Sequence, residues 1–162
     1  MVYQKAFTVE EANRAIPALE AVLAQIDAQK AQVQQCHERL QVLEVMWGER
    51  VGVPANPDHQ EYLRYWRSLE AVARELDHLV RHEILGRGLR FPSGGVEHGL
   101  VDFPTFFSGR WVFLCWQRGE EQVRYWHETD EGYRGRQKLT PEQHLAMGHE
   151  VPPEPLEESR RL

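Results

Sequence analysis

Apolar side chains at Ile16, Leu19, Leu23, Ile26, Val33 and Leu40 recur at steps of three, four and seven. That spacing is the seam of a coiled-coil helix. Lys30 and His37 fall on the same seam. Thr8 followed three residues later by Glu11 is a capping box, and Phe7 just ahead of it fits a hydrophobic staple. The helix is expected to end near Trp47–Gly48. Pro17 lies inside it, removes one backbone donor and predicts a kink.

The stretch Gly52-Val53-Pro54-Ala55-Asn56-Pro57 breaks the pattern. Asp58 is placed to cap a second helix, whose stripe runs through Tyr62, Tyr65, Trp66, Leu69, Val72, Leu76, Leu79, Val80 and Ile84. Gly86 and Gly88 stop it. Two long helices joined by a short link should lie antiparallel. A turn centred near residue 52 then sets Lys30 against Glu75 and Asp27 against His78. The longer first helix overhangs by roughly 15 Å, and that overhang needs a cover.

After the linker Phe91-Pro92-Ser93-Gly94-Gly95 the period changes to two. Strands are predicted at Leu100–Phe103, Trp111–Trp116 and Gln122–Glu128. A two-residue turn at Gly119-Glu120 pairs Trp116 with Val123, Leu114 with Tyr125 and Val112 with His127. Alternation then puts Val112, Leu114, Trp116, Val123, Tyr125 and His127 on one face, and Trp111, Phe113, Cys115, Arg124 and Trp126 on the other. Both faces are rich in large apolar groups, so both need cover. The cover comes from residues 91–99 and 130–147 or from a second subunit. Thr140-Pro141 opens a short helix to about Met147, and the acidic, proline-rich tail beyond should be mobile. The expected fold class is α+β: a long antiparallel two-helix hairpin, coiled-coil-like, then a small three-stranded antiparallel β-sheet and a short C-terminal helix. The corresponding parts are 1–90 (hairpin), 91–138 (sheet packed on the hairpin) and 139–162 (helix and tail).

Composition narrows the function. The chain has 162 residues, 41% hydrophobic, which suits one domain with an appendage. No apolar run approaches the roughly 20 residues of a membrane span, and the polar start is unlike a signal peptide. A cytoplasmic location is the expectation. The net charge of −6 is spread along the chain with no basic stretch. Nucleic acid is therefore not expected as a partner. The two cysteines, Cys36 and Cys115, form no CxxC pair, and a disulfide is not expected in a reducing compartment.

Three groupings carry candidate chemistry. Asp102 interrupts an apolar strand, where a carboxylate must be paired or solvated. With His127 it could form an orienting pair for acid–base work. The plainer reading is a structural ion pair with Arg110 or Arg136. Second, the loop from Asp130 to Arg136 offers two glycines, and Arg134 and Arg136 could clamp an anion, with Arg110 nearby. Third, His78 and His82 have the i, i+4 spacing of a helical metal site, but only two ligands are secure. Cys115 and His127 fall on opposite faces in this register and share no site. Cys115 then reads as a small buried hydrophobe.

The segments FTVEEANRAIP at the start, GLVDFP at 99–104, FLCW at 113–116, YWH at 125–127 and GYRGR at 132–136 together resemble the bacterial family of domain of unknown function 2203. The resemblance covers Phe7 to Lys138. It implies a helical hairpin with a small sheet in a cytoplasmic protein, and it implies no activity. With no catalytic motif and no cofactor indicated, the leading expectation is a non-catalytic interaction or self-association module, a homodimer. The alternative is a small enzyme or anion-binding protein centred on Asp102, His127, Arg134 and Arg136.

Overall fold

A computed structural model describes residues 5–150. The Thr8 capping box forms as expected. Glu11 N donates to Thr8 Oγ1 at 3.1 Å, and Thr8 N donates back to Glu11 Oε1 at 3.4 Å. From it runs α1, Val9–Trp47, with Pro17 inside. Helix α2 is His59–Leu79, followed by a π turn, Val80–Ile84, and a 3-10 turn, Leu85–Arg87. The short helix α3, Gly95–His98, leads into the sheet: β1 Leu100–Phe107, β2 Arg110–Gln117, β3 Tyr125–Glu128 and β4 Gln137–Lys138. Helix α4, Pro141–Ala146, starts where Thr140-Pro141 predicted it, with a full capping box between Thr140 and Gln143. The fold is α+β: a long helix, a second helix, a four-stranded antiparallel sheet and a short C-terminal helix. The tail expected to be mobile lies, from Val151, outside the described residues.

The chain divides into two compact units. One comprises residues 18–87. Its buried positions on α1 are Leu19, Val22, Leu23, Ile26, Cys36, Leu40 and Leu43. Cys36, not His37, is the inward residue of its turn, and Lys30 and His37 are exposed. The link between the helices is a 3-10 turn, Gly48–Gly52, locked by side chains. Asp58 does not cap α2. Its carboxylate is taken by Trp47 Nε1 at 2.8 Å, and the buried His59 places Nδ1 2.9 Å from the Val51 carbonyl.

The described residues of the other unit are 5–17 and 88–150, and they contain the sheet. Its strand order is β1-β2-β3-β4. Three expectations are corrected here. First, β1 runs through Pro104 to Phe107. It is an edge strand, and Asp102, Pro104 and Phe106 turn their backbone polar groups outward, to Arg90, Phe7 and Gly148. The missing N–H of Pro104 therefore interrupts no bond to β2. Second, Gln137–Lys138 adds a fourth strand beside β3. Third, β3 begins only at Tyr125, and it pairs with β2 one residue out of the expected register: Phe113 with His127, Leu114 with Trp126 and Cys115 with Tyr125.

The connection between β2 and β3 is longer than a two-residue turn because its polar groups have other partners. Glu120 Oε1 accepts from Gln117 N, Trp116 Nε1 donates to the Glu120 carbonyl, and Val123 N donates to Asn13 Oδ1 at 2.7 Å. A slip of one residue reverses every side chain of β3. One face now carries Val101, Phe103, Val112, Leu114, Trp116 and Trp126. The other carries Asp102, Phe113, Cys115, Tyr125 and His127. Both faces are largely buried by the chain itself: Phe103, Phe113 and Trp116 are at 0% exposure, and Trp111 is half-buried.

Candidate functional site

The corrected register brings Cys115 to the face shared by Asp102 and His127, where alternation had set it opposite His127. Asp102 on β1 lies directly opposite Cys115 on β2, and His127 on β3 sits diagonally across from Cys115. Their ligand atoms all lie within 4.8 Å of one another, and all three residues are at 0% exposure. The placement of Cys115 and His127 on opposite faces is thus overturned by the one-residue slip.

The carboxylate of Asp102 is fully engaged. Oδ1 lies 2.9 Å from His127 Nε2, and Oδ2 accepts from Arg90 Nε at 3.0 Å. The partner is Arg90, not Arg110 or Arg136. Arg90 is held twice, because its guanidinium also stacks 3.7 Å from the centre of the Phe113 ring. The isolated bridge between Arg90 and Asp102 fixes its backbone. His127 Nδ1 lies 2.7 Å from the Glu128 carbonyl.

Electrostatics follow from this crowding. Burial disfavours a charged imidazole at His127. The hydrogen bond and charge of Asp102 outweigh it, so the pKa stands above its ordinary value of 6.5. Burial, and then the Asp102 carboxylate, push the Cys115 thiol up to about 12. Left to itself, Cys115 is a protonated thiol and a poor nucleophile.

Arg136 belongs to a neighbouring cluster. Its guanidinium lies 4.1 Å from the Tyr125 ring, donates to the Cys115 carbonyl at 3.2 Å and pairs with Glu120. Arg134 is exposed in the 3-10 turn Tyr133–Gly135. The expected anion loop is not arranged as a cradle. Gly135 N and Arg136 N donate within the loop, to the carbonyls of Gly132 and Tyr133. Arg110 pairs with Glu128 at the rim of the sheet. On α2 and the turn after it, the rings of His78 and His82 lie 4.2 Å apart, tilted by 38°, and both are exposed. Among the described residues no group of three ligand-type side chains forms around them. Two participants were missed in the sequence. Arg90 had no signal, since its partner is twelve residues away across a β-bridge. Cys115 had one, its place in FLCW, but it was assigned to the wrong face.

Residues 5–139 match the family described as "Uncharacterized conserved protein (DUF2203)". The chain belongs to that family. No curated protein and no solved structure matches it. In this DUF2203 member no helix among the described residues is long and apolar enough to cross a membrane.

Proposed function

We propose that this protein is a non-catalytic interaction module that associates with a second copy of itself through α1. The observation that carries this reading is an apolar stripe near the end of that helix. Val42 is 52% exposed, Val45 86% and Met46 57%. The spacing of three and four puts all three on one face, beside a groove of about 590 Å³ lined also by Glu38 and Gln41. Antiparallel pairing of two copies about this segment sets Val42 against Met46 of the other. A two-fold contact uses one patch twice in this way. The long two-helix region is then the association element. A cytoplasmic location belongs to the same reading.

The test is light scattering of the purified protein at tens of micromolar. A dimer that becomes a monomer in Val45→Glu supports it. A wild-type monomer removes it.

The second reading, an anion-binding protein, keeps one supporting observation. Arg136 Nε is buried without a hydrogen-bond partner among the described residues, at the wall of a depression of about 520 Å³ that Tyr125, Tyr133 and Arg124 also line. It stands second because Arg136 already pairs with Glu120, while Asp102 and His127, which it also invoked, are wholly buried. Resonances around Arg136 that stay still in an NMR titration with millimolar phosphate would end it.

A further inference from the structure

We propose that Asp102, Cys115 and His127 form a binding site for one thiophilic divalent cation of zinc's class. Carboxylate, thiolate and imidazole are the donors such ions take, and three protein donors with one further position is a common zinc arrangement. The site is independent of the self-association reading.

Four observations carry it. The donors come from three adjacent strands in fixed register, so the scaffold is rigid rather than a loop. They already converge within 4.8 Å. Zinc bonds of about 2.0–2.3 Å set donors roughly 3.5 Å apart, so the 2.9 Å His127–Asp102 pair opens while the longer separations close. Each outer partner is also present: Arg90 holds the second oxygen of Asp102, and the Glu128 carbonyl holds His127 Nδ1.

The fourth observation concerns the histidine. A carbonyl only accepts, so Nδ1 carries the proton of that bond. In the neutral ring Nε2 is then a bare lone pair, 2.9 Å from a carboxylate oxygen. Two acceptors at that distance need a positive charge shared between them. A second proton supplies it, and so does a cation bound by both. The thiol next to them favours the cation, because a third donor, and a soft one, has no role in a simple imidazolium–carboxylate pair.

Binding balances as follows. The Cys115 S–H bond and the His127 Nε2–H bond of the metal-free pair both break, the sulfur–metal and nitrogen–metal bonds form, and both protons leave to solvent. One thiolate, one carboxylate and a neutral imidazole then match the charge of the cation, and the fourth position is left for a water. With the three side chains fully buried, the ion enters during folding or when Arg90, 27% exposed at its side chain, swings aside.

The experiment uses the full chain with no histidine tag. Elemental analysis of fresh protein is followed by chelation and titration of the apoprotein with cobalt(II) alone. One metal per chain is expected, with the near-ultraviolet absorption of a cobalt–thiolate bond and, below the folded pKa of His127, release of two protons. Cys115→Ser and His127→Gln should reduce binding at least tenfold. Cys36→Ser and the double variant His78→Ala/His82→Ala should leave it unchanged. The proposal is overturned if wild type gives no cobalt–thiolate band, or if the band disappears with Cys36 or with His78 and His82 instead. Should the Cys115 and His127 variants fail to fold, the wild-type band with the Cys36→Ser control decides alone.

Discussion

His127 Nε2 and Asp102 Oδ1 stand 2.9 Å apart at the centre of the sheet, and neither side chain reaches solvent. A buried charged pair is costly to break from one side, because the survivor keeps its desolvation cost. Asp102→Asn keeps the shape and removes the charge that serves both Arg90 and His127. The expected loss is about 3–5 kcal/mol in urea or guanidinium denaturation. A loss below about 1 kcal/mol, within the ordinary range of surface changes, would mean the pair is not formed.

The same pair sets a pH dependence in metal-free protein. His127 has its folded pKa raised above 6.5 by Asp102. Its contribution is therefore fully present below about pH 6.5 and is lost as pH rises through the folded value. Wild-type stability should fall on the alkaline side of neutrality more steeply than that of His127→Gln. Parallel curves for the two proteins would contradict the raised value.

How much of this could be read beforehand depended on whether the signal was local. The Thr8–Glu11 and Thr140–Gln143 caps and the end of the first helix at Trp47 rest on neighbours in sequence, and each formed as expected. The register of β2 and β3 depends on Asn13, over a hundred residues away, which takes the N–H of Val123 and holds that residue out of the strand. No alternation pattern contains that bond. Gly119 does have the positive φ expected of a turn, yet the loop runs on to Arg124. One residue of error sufficed to separate Cys115 from His127. Asp102 was legible as a buried charge in need of a partner. Its partner was not, because Arg90 reaches it through an edge bridge outside every predicted strand.

Cys115 should be chemically silent in the folded protein. Its thiol is buried at 0% exposure, and its pKa is pushed to about 12, so almost no free thiolate exists at pH 8. Iodoacetamide followed by peptide mapping should leave Cys115 unmodified in native protein and label it fully in denaturant. Labelling at the rate of a free cysteine under native conditions would show that the sheet opens there.

Two glycines with the same backbone sign should respond differently to alanine. Gly109 has φ +77 and open space where a Cβ would go. Gly109→Ala should cost only the left-handed backbone term, about 1–2 kcal/mol. Gly148 has φ +80, and its Cβ would fall 2.3 Å from the Phe7 carbonyl oxygen, which Thr105 Oγ1 also binds. Gly148 N donates to the Phe106 carbonyl, so the backbone cannot retreat without losing that bond. Gly148→Ala should therefore be clearly more destabilising than Gly109→Ala in thermal melts. Equal melting shifts would refute the close approach of residue 148 to Phe7.

The start of α1 should weaken in acid. Lys5 Nζ lies 2.5 Å from Glu11 Oε2, and Thr8 N donates to the other oxygen. Lys5 holds the Glu11 carboxyl below its ordinary value of 4.5; burial opposes it, and the Thr8 backbone bond adds a smaller lowering effect. A depressed folded value means the stabilisation is present above about pH 4.5 and is lost as pH falls through the folded value. Glu11→Gln keeps an acceptor for the reciprocal cap bond but cannot titrate. It should be slightly less stable than wild type at pH 6 and converge with it near pH 3. Lys5→Met should produce the same convergence by removing the cation instead of the acid. Both side chains are partly exposed, so salt should shrink the gap at pH 6 for each variant. Denaturation curves that keep a constant separation from pH 6 to pH 3 would show that the Lys5–Glu11 pair makes no contribution to the fold.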